Sequence, residues 1–278
     1  MNAVTVARPR TAAARPNLAR AALSRTGVEV RQFFREKDSV VFIFAFPVIL
    51  LGIFGAVFDR DIAPGVSFTQ YFVAGMIASG IMVSSFQSLA ISITIERDDG
   101  TLKRLRGTPM PPSAYLLGKI GLVLVSTLGQ LVLLLAAAVV LFGISLPSSA
   151  TSWATFAWLL VLGSAAGTML GIAFSSVPGS ARSAPAVVTP IVLVLQFISG
   201  VFFVYTDLPS WMQRVAEVFP LKWMAQGMRS VFLPADFEAA EASGSWQLVT
   251  AALVLAVWAV IGLAVCARTF RWTRRDAG

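Results

Sequence analysis

Long apolar runs separated by short polar segments dominate the chain. A transmembrane helix needs about 20 apolar residues, and six runs qualify: roughly 39–58, 70–95, 115–144, 153–175, 185–204 and 247–267. They lack the strict alternation of apolar and polar residues that is typical of a β-barrel strand. The pattern therefore predicts an all-α, polytopic membrane protein with six transmembrane helices in one domain, residues 39–267.

A basic amphipathic helix is predicted before the first span. Leu23, Thr26, Val30 and Phe33 recur at three- and four-residue steps, and arginines fill the opposite face. This pattern is typical of a helix that lies on an anionic membrane surface. We therefore expect residues 1–38 to form a cytoplasmic N-terminus that contains an interfacial helix.

The segment between the fifth and sixth runs, residues 205–246, has two short amphipathic pieces divided by Pro220. In the second piece, Leu221, Met224 and Met228 lie on one helical face, opposite Lys222 and Arg229. Each piece has about a dozen residues and is too short to cross a bilayer. The pattern predicts an external hairpin at about 206–236, either re-entrant or lying on the surface; a further pair of spans is the alternative.

The distribution of charge predicts the orientation. Only 13% of the residues are charged, and the mean hydropathy is +0.77. Eighteen of the 22 lysines and arginines fall in the N-terminus, the 96–119 loop, the 176–184 loop and the C-terminal tail 268–278. Basic loops stay in the cytoplasm, so we expect a multi-pass protein of the bacterial inner membrane with both termini cytoplasmic.

A charged island, residues 95–119, lies between the second and third runs. Leu102 and Leu105 are three residues apart, while Gly100 and Gly107 flank them and prolines follow. The pattern predicts a short amphipathic helix at about 96–106 that is offered to a partner. An ordinary basic loop is the alternative.

Residues suited to catalysis are scarce. The chain has no histidine and one cysteine, Cys266, which excludes Ser-His-Asp, Cys-His and H-E-x-x-H sites. Gly118-Lys119 is followed by Ile120, and Ser113 stands where a P-loop has its first glycine. We therefore expect no ATPase activity, no metal site and no cofactor in this chain.

Polar side chains without charge do occur within the runs. The candidates for a substrate path are Ser84, Ser85, Gln87, Ser88, Gln130 and Gln196. Hydrogen bonding between helices is the alternative role. The interior of the runs carries no ionisable residue, which disfavours an ion-coupled carrier.

Several short motifs match one family in their order along the chain. They are Glu96-Arg97, Gly100-Thr101-Leu102, Leu105, Thr108-Pro109, Leu117-Gly118-Lys119, Gly200 to Phe203, Leu208-Pro209 and the run from Phe219 to Arg229. Over nearly the whole chain, the sequence resembles the type-2 permeases of ATP-binding-cassette exporters, and actinobacterial drug and antibiotic exporters look most similar. Asp98-Asp99 departs from the Glu-Lys or Glu-Arg pair of many relatives.

The resemblance implies a role for the island and a set of partners. The 96–106 segment would be a coupling helix that contacts the ATPase subunit through Arg97, Asp98, Asp99, Thr101, Leu102, Lys103, Leu105 and Arg106. The functional unit would contain two permeases, as a homo- or heterodimer in membrane lipid, and two ATPases that bind ATP and Mg²⁺. No nucleic-acid partner is expected.

Glu96 stands at the membrane edge, where the second run ends. We predict that it pairs with a basic residue of the N-terminal helix, Arg31 or Arg35, and so locks the two elements together.

The leading hypothesis is a permease subunit that exports an amphipathic or hydrophobic substrate: a drug, antibiotic, lipid or peptide. An ion-gradient-driven carrier or channel is the alternative. A membrane transferase with Mg²⁺ at Asp98 and Asp99 is disfavoured by the neighbouring basic residues.

Overall fold

The computed structural model describes residues 17–58, 60–108 and 110–269, except for the side chains of Ser39 and Phe42. Residues 1–16 of the predicted N-terminal region and residues 270–278 of the predicted basic tail lie outside this part of the chain.

The described part of the chain is almost entirely helical. Its α-helices are α1 Leu18–Arg35, α2 Lys37–Val57, α3 Phe68–Asp98, α4 Thr101–Arg106, α5 Pro112–Phe142, α6 Ala150–Phe174, α7 Ala184–Ile198, α8 Ser210–Ala216, α9 Pro220–Phe232 and α10 Leu248–Thr269. Short 3₁₀ turns occupy Tyr205–Asp207 and Ala235–Ala240.

Four of these helices are long and apolar enough to cross a membrane. They are α3 and α5 with 31 residues each, α6 with 25 and α10 with 22. Two shorter apolar helices, Ile43–Val57 within α2 and Ala184–Ile198, lie where the sequence predicts the first and fifth spans. The chain therefore forms a multi-pass helical bundle.

A small β-hairpin joins α2 to α3, which the all-α prediction missed. Asp61–Ala63 (β1) pairs antiparallel with Val66–Ser67 (β2), and Gly65 supplies a left-handed turn at φ +71°. Ser67 then caps α3, because its hydroxyl accepts a hydrogen bond from the backbone N–H of Gln70 at 3.2 Å. The hairpin and the Ser67 cap together determine the residue at which α3 begins.

Helix α3 changes its winding halfway along its length. Residues Val83–Gln87 form a π-helical segment between the α-helical parts Phe68–Met82 and Ser88–Asp98. Gly167 and Gly171 of α6 lie against this segment: a Cβ at Gly171 would stand 2.9 Å from the carbonyl oxygens of Ser85 and Phe86. The G-x-x-x-G spacing of α6 thus allows close packing on α3.

The predicted external hairpin corresponds to α8 and α9, and α9 is buried. All but one of the residues of α9 are buried, and the helix packs against α3, α6 and α10. Its polar face is buried as well, including Lys222 and Arg229. A helix lying on the surface would leave one face exposed, so this arm of the hairpin inserts into the bundle instead.

Candidate functional site

Helix α4 lies at one end of the bundle, here called the α4 end, and is reached through a tight turn. Gly100 adopts the left-handed conformation, φ +78°, which has a low energetic cost for glycine because it lacks a Cβ. The Asp99 carboxylate accepts a hydrogen bond from the Thr101 backbone N–H at 2.8 Å. After the turn, the six-residue helix contacts the end of α3, and its Leu102 packs in a cluster with Tyr115 of α5.

Leu102 anchors α4 from within the protein. Its side chain is 0% exposed and belongs to a buried apolar cluster with Leu89, Ile93 and Tyr115. Leu105 is half-buried against the same cluster. The expectation that the Leu102 side chain contacts the ATPase subunit is therefore wrong, because this side chain is already packed within the chain itself.

The outward face of α4 is cationic. Lys103, Arg104 and Arg106 are exposed. The Arg104 guanidinium reaches back to the Asp99 carbonyl and the Thr101 hydroxyl, each at 3.4 Å. With Leu102 turned inward, these three cations are what α4 presents to its surroundings.

Arg97 and Asp98 tie the end of α3 to the loop between α6 and α7. Arg97 Nη2 donates to the Pro178 carbonyl at 3.0 Å, and Asp98 Oδ2 accepts from the Ala181 backbone N–H at 2.9 Å. One turn earlier, Thr94 Oγ1 donates to the Ser175 carbonyl at 2.9 Å. Two predicted partner-contacting residues thus also hold the loops of the α4 end together.

A buried group of charged and polar side chains joins α1, α3 and α5; we call it the ionic cluster. Its members are Arg25, Glu29, Glu96, Tyr115 and Lys119. Lys119 is 0% exposed, and its Nζ lies 2.8 Å from Glu29 Oε2 and 2.6 Å from Glu96 Oε1. Arg25 pairs with Glu29 and lies 3.6 Å from Glu96, while the Tyr115 hydroxyl donates to Glu96 at 2.7 Å.

The charges of the ionic cluster balance, with two carboxylates facing two cations. Buried carboxylates need such partners, since an uncompensated buried charge is strongly destabilising. Glu96 does join α3 to the N-terminal helix, but through Arg25 and not through Arg31 or Arg35, which are exposed. The predicted partners were wrong because Arg25 lies on the buried face of α1.

Arg25, Glu29 and Lys119 belong to this site although they were not predicted from the sequence as site residues. Arg25 and Glu29 are spaced i,i+4, which is an ion-pair spacing on a helix. In the sequence, Lys119 was noted only as part of the family motif Leu117-Gly118-Lys119. A clearer signal was its position near the start of the apolar run 115–144, where a lysine requires a nearby carboxylate if it is buried.

A groove of about 780 Å³ runs along α3 beside the ionic cluster. Its lining extends from Met76 to Glu96 on α3, about 30 Å at the rise of an α-helix. Helices α1, α2, α5 and α7 complete the walls, and Phe202 lies at the far end. The groove is therefore about as long as the hydrocarbon core of a bilayer is thick.

Five of the six predicted path residues line this groove: Ser84, Gln87, Ser88, Gln130 and Gln196. Ser85 does not. It is fully buried, and its hydroxyl donates to the Ile81 carbonyl at 2.6 Å within α3. Although Ser84 and Ser85 are adjacent, their side chains leave the helix in different directions, and Ser85 faces Gly167 of α6.

The groove residues also join the helices. Ser84 Oγ donates to Gln130 Oε1 at 3.1 Å, Gln196 Nε2 donates to Ser79 Oγ at 2.5 Å, and Gln87 Nε2 donates to Thr189 Oγ1 at 3.2 Å. The same side chains therefore form hydrogen bonds between helices and line the groove, although the sequence analysis gave interhelical bonding and a substrate path as alternatives.

A second buried ion pair lies at the opposite end of the bundle. Arg229 of α9 is 0% exposed and pairs with Glu241 through two contacts, Nε–Oε1 at 2.5 Å and Nη2–Oε2 at 2.9 Å. Tyr71 of α3 lies 4.9 Å from the guanidinium. Nearby, burial lowers the pKa of Lys222 to about 8, against the opposing effect of Glu217. The ion pair therefore joins α9 to the segment after the Ala235–Ala240 turn, and the contact with Tyr71 joins α9 to α3.

The described residues contain no cluster of three or more Asp, Glu or Cys side chains that could hold a metal ion. The arrangement instead combines a short helix with exposed cations, a balanced ionic cluster and a long groove of mostly uncharged side chains. These are features of a membrane transport protein.

Comparison with known proteins identifies the family. Residues 24–233 match the family model of the ABC-2 type transporter, so the chain belongs to that family. Proteins named inner membrane transport permease YadH, from Escherichia coli K12 and from Shigella flexneri, are each 25% identical over 193 residues, covering 67% of this chain and 74% of theirs.

Proposed function

We propose that this chain is the membrane-spanning permease subunit of an ATP-driven exporter. In this role it moves an amphipathic or hydrophobic substrate out of a bacterial cell and is powered by a separate ATP-binding subunit. The observation that carries the proposal is the construction of α4: a short helix pinned from inside by Leu102, with its cations turned outward. Membership of the ABC-2 family implies partnership with such a subunit.

The proposed topology has six spans in the inner membrane, with both termini and α4 on the cytoplasmic side. The four long apolar helices supply four spans, and α2 and α7 supply the first and fifth. Helices α8 and α9 then form a re-entrant hairpin on the outer side. The name of the relative YadH supports the inner membrane as the location, and the positive-inside rule supports the orientation.

In this proposal α4 is a coupling helix. Lys103, Arg104 and Arg106 pair with acidic residues on the ATPase subunit. Arg97 and Asp98 connect α4 to the loop before α7, and the ionic cluster connects α3 to α1 and α5. A displacement of α4 by the ATPase would therefore move several helices around the groove.

The groove is the proposed substrate path. Its middle carries serine hydroxyls and glutamine amides, and its charged residues lie at the α4 end. An amphipathic molecule can cross such a surface without a fixed counter-charge at mid-membrane. We further propose that two permease copies act together, as a homo- or heterodimer, with two ATPase subunits.

An ion-gradient-driven carrier is the second candidate. The buried Lys119–Glu29–Glu96 contacts favour it, because carriers use buried ionisable groups. The position of these contacts at the α4 end, and their balanced charge, favour a structural connection instead.

The test is co-purification in mild detergent, followed by an ATPase assay. The native chain should recover a soluble ATP-binding subunit with measurable activity. A variant with Lys103→Glu, Arg104→Glu and Arg106→Glu should lose it, because reversed charges repel an acidic partner. Arg214→Glu, an exposed arginine on α8, is the matched control and should retain it.

Recovery of no ATPase with the native chain would contradict the proposal. Transport that follows an ion gradient in ATP-depleted vesicles would then establish the carrier.

A further inference from the structure

The two long sides of the groove differ in chemistry. On α3, four serines line it among apolar residues such as Val83 and Ile91, whereas the lining residues of α2 are all apolar; the serines are Ser79, Ser84, Ser88 and Ser92. The steps from Ser84 to Ser88 and from Ser88 to Ser92 are four residues each, and such steps keep side chains near one helical face. The lining of the groove on α3 thus includes four hydroxyl groups.

Amide groups extend this polar side. Gln130 from α5 and Gln196 from α7 reach the groove next to Ser84 and Ser79, to which they are hydrogen-bonded. Each amide and hydroxyl has further donor or acceptor capacity beyond these single bonds. The polar side therefore offers many uncharged hydrogen-bonding groups to a molecule in the groove.

The opposite side, formed by α2, is apolar. Its lining residues are Ile43, Phe46, Pro47 and Leu50. Phe46 is 42% exposed, so this edge of the groove borders the surroundings of the bundle. A molecule in the groove thus meets hydrogen-bonding groups on one side and aromatic and aliphatic groups on the other.

The charged lining residues are confined to the α4 end: Glu29, Arg35, Glu36, Glu96 and Asp99. Glu29 and Glu96 face the buried cations Arg25 and Lys119 of the ionic cluster. Counting these two cations, the mouth has four carboxylates and three cations. It offers no excess positive charge to an anion, and the middle of the groove offers no charged group to either sign.

We propose that the groove binds an uncharged amphiphile with one hydroxyl-rich side and one apolar side, of the chemical class of an alkyl glycoside, and discriminates against charged amphiphiles. An anionic group would meet the acidic mouth, and an ammonium group would lie without a counter-ion in the middle. This inference rests on the proposed function for its physiological meaning.

The test measures binding to the full chain in lipid nanodiscs, without any ATPase. The probe is tritiated dodecyl glucoside, detected by scintillation proximity below its micellar concentration, with empty nanodiscs subtracted. Unlabelled competitors share the dodecyl chain and differ in the head group: dodecyl glucoside, dodecyl phosphate and dodecyltrimethylammonium. We expect the glucoside to compete at about tenfold lower concentration than either charged amphiphile, the ratio that corresponds to about one net hydrogen bond.

The variants remove both partners of a hydrogen bond, so that no buried polar group is left unpaired. Ser84→Ala with Gln130→Leu, and Ser79→Ala with Gln196→Leu, should each weaken glucoside binding by about tenfold. Ser85→Ala is the control: this serine is adjacent in sequence but lies outside the groove lining, and binding should be unchanged.

Equal competition by the phosphate or the ammonium compound would overturn the inference, as would unchanged binding in both double variants. Wild-type elution in size-exclusion chromatography confirms that the variants are folded. If binding shows the expected preference but no ATPase co-purifies, the inference about the groove is supported and the exporter proposal is refuted. If an ATPase co-purifies but binding shows no preference for the glucoside, the exporter proposal is supported and the inference about the groove is refuted.

Discussion

Replacing Lys119 by methionine is the sharpest test of the ionic cluster. The Lys119 ammonium touches two carboxylates, at 2.8 Å and 2.6 Å, and the Ser92 hydroxyl at 2.9 Å. In Lys119→Met the side chain keeps most of its length, but Glu29 and Glu96 are left with Arg25 as the remaining cation of the cluster. The perturbation is therefore one of charge rather than of volume.

The magnitude follows from burial. A charge pair at about 2.7 Å attracts by roughly 6 kcal/mol at an effective dielectric of about 20, and much of this offsets the cost of burying the lysine. Breaking a buried pair from one side costs about 3–5 kcal/mol, because the remaining charge is uncompensated. We expect Lys119→Met to lower the free energy of unfolding by about that amount.

The charge-balanced double variant supplies the critical comparison. Lys119→Met with Glu96→Gln leaves Arg25 and Glu29 as one complete pair, and should recover about half of the loss. Lys103→Met removes an exposed cation of α4 and should change the free energy of unfolding by less than about 0.5 kcal/mol.

Equilibrium unfolding in mixed micelles with increasing sodium dodecyl sulfate, followed by circular dichroism, measures these differences. A Lys119→Met protein within about 1 kcal/mol of the wild type would refute the reasoning. So would a double variant that is no more stable than the single one.

Four further results are expected. Glu96→Gln should reduce the coupling of ATP hydrolysis to transport in the reconstituted complex, and unchanged coupling would exclude a locking role for Glu96. Gly171→Ala should destabilise the fold by about 1–3 kcal/mol, because its Cβ would stand 2.9 Å from backbone oxygens of the π segment; Gly52→Ala, where nothing lies within 4 Å, should be neutral or stabilising. Arg229→Leu should cost about 3–5 kcal/mol in the same unfolding assay and less when combined with Glu241→Leu. Stability should rise with pH from about 8 to 10.5, where the folded chain binds fewer protons at Lys222 than the unfolded chain does; Lys222→Met should flatten that rise, and an unchanged slope would assign it to another group.

The long apolar helices could be predicted from the sequence because they depend on the length of the apolar runs. The four long apolar helices overlap the predicted runs, with their ends displaced by one to three residues, and α4 begins and ends inside the predicted 96–106 segment. Gly100 and the following prolines limited that helix locally, so no tertiary information was needed. The β-hairpin at Asp61–Ala63 escaped notice because five residues of strand carry too little pattern.

Side-chain direction was much less accessible. Leu102 has the spacing of an outward-facing anchor, yet it points into a buried cluster. Ser84 and Ser85 are equivalent by composition, and only the winding of α3 separates the groove-lining residue from the one that faces α6. The local sequence pattern shows that a helix has an apolar or a polar face, but it does not show which neighbouring helix packs against that face.

Charged residues inside the bundle were the other limitation. The sequence analysis treated Arg25 and Arg229 as parts of solvent-facing surfaces, and both are buried in ion pairs. Apart from Arg25–Glu29, these ion pairs join residues 12 to 90 positions apart in the chain, for example Arg229 with Glu241 and Lys119 with Glu29. Their partners are fixed by helix packing, which no short window contains.

The proposed contact between α4 and an ATP-binding subunit can be tested by crosslinking in native membranes. The native Cys266 is buried and is first replaced by alanine. Arg104→Cys on α4 and Arg214→Cys on α8 then carry a benzophenone maleimide. The account predicts a crosslinked band containing an ATP-binding protein from position 104 and none from position 214. A crosslink from position 214 alone, or from neither position, would contradict it.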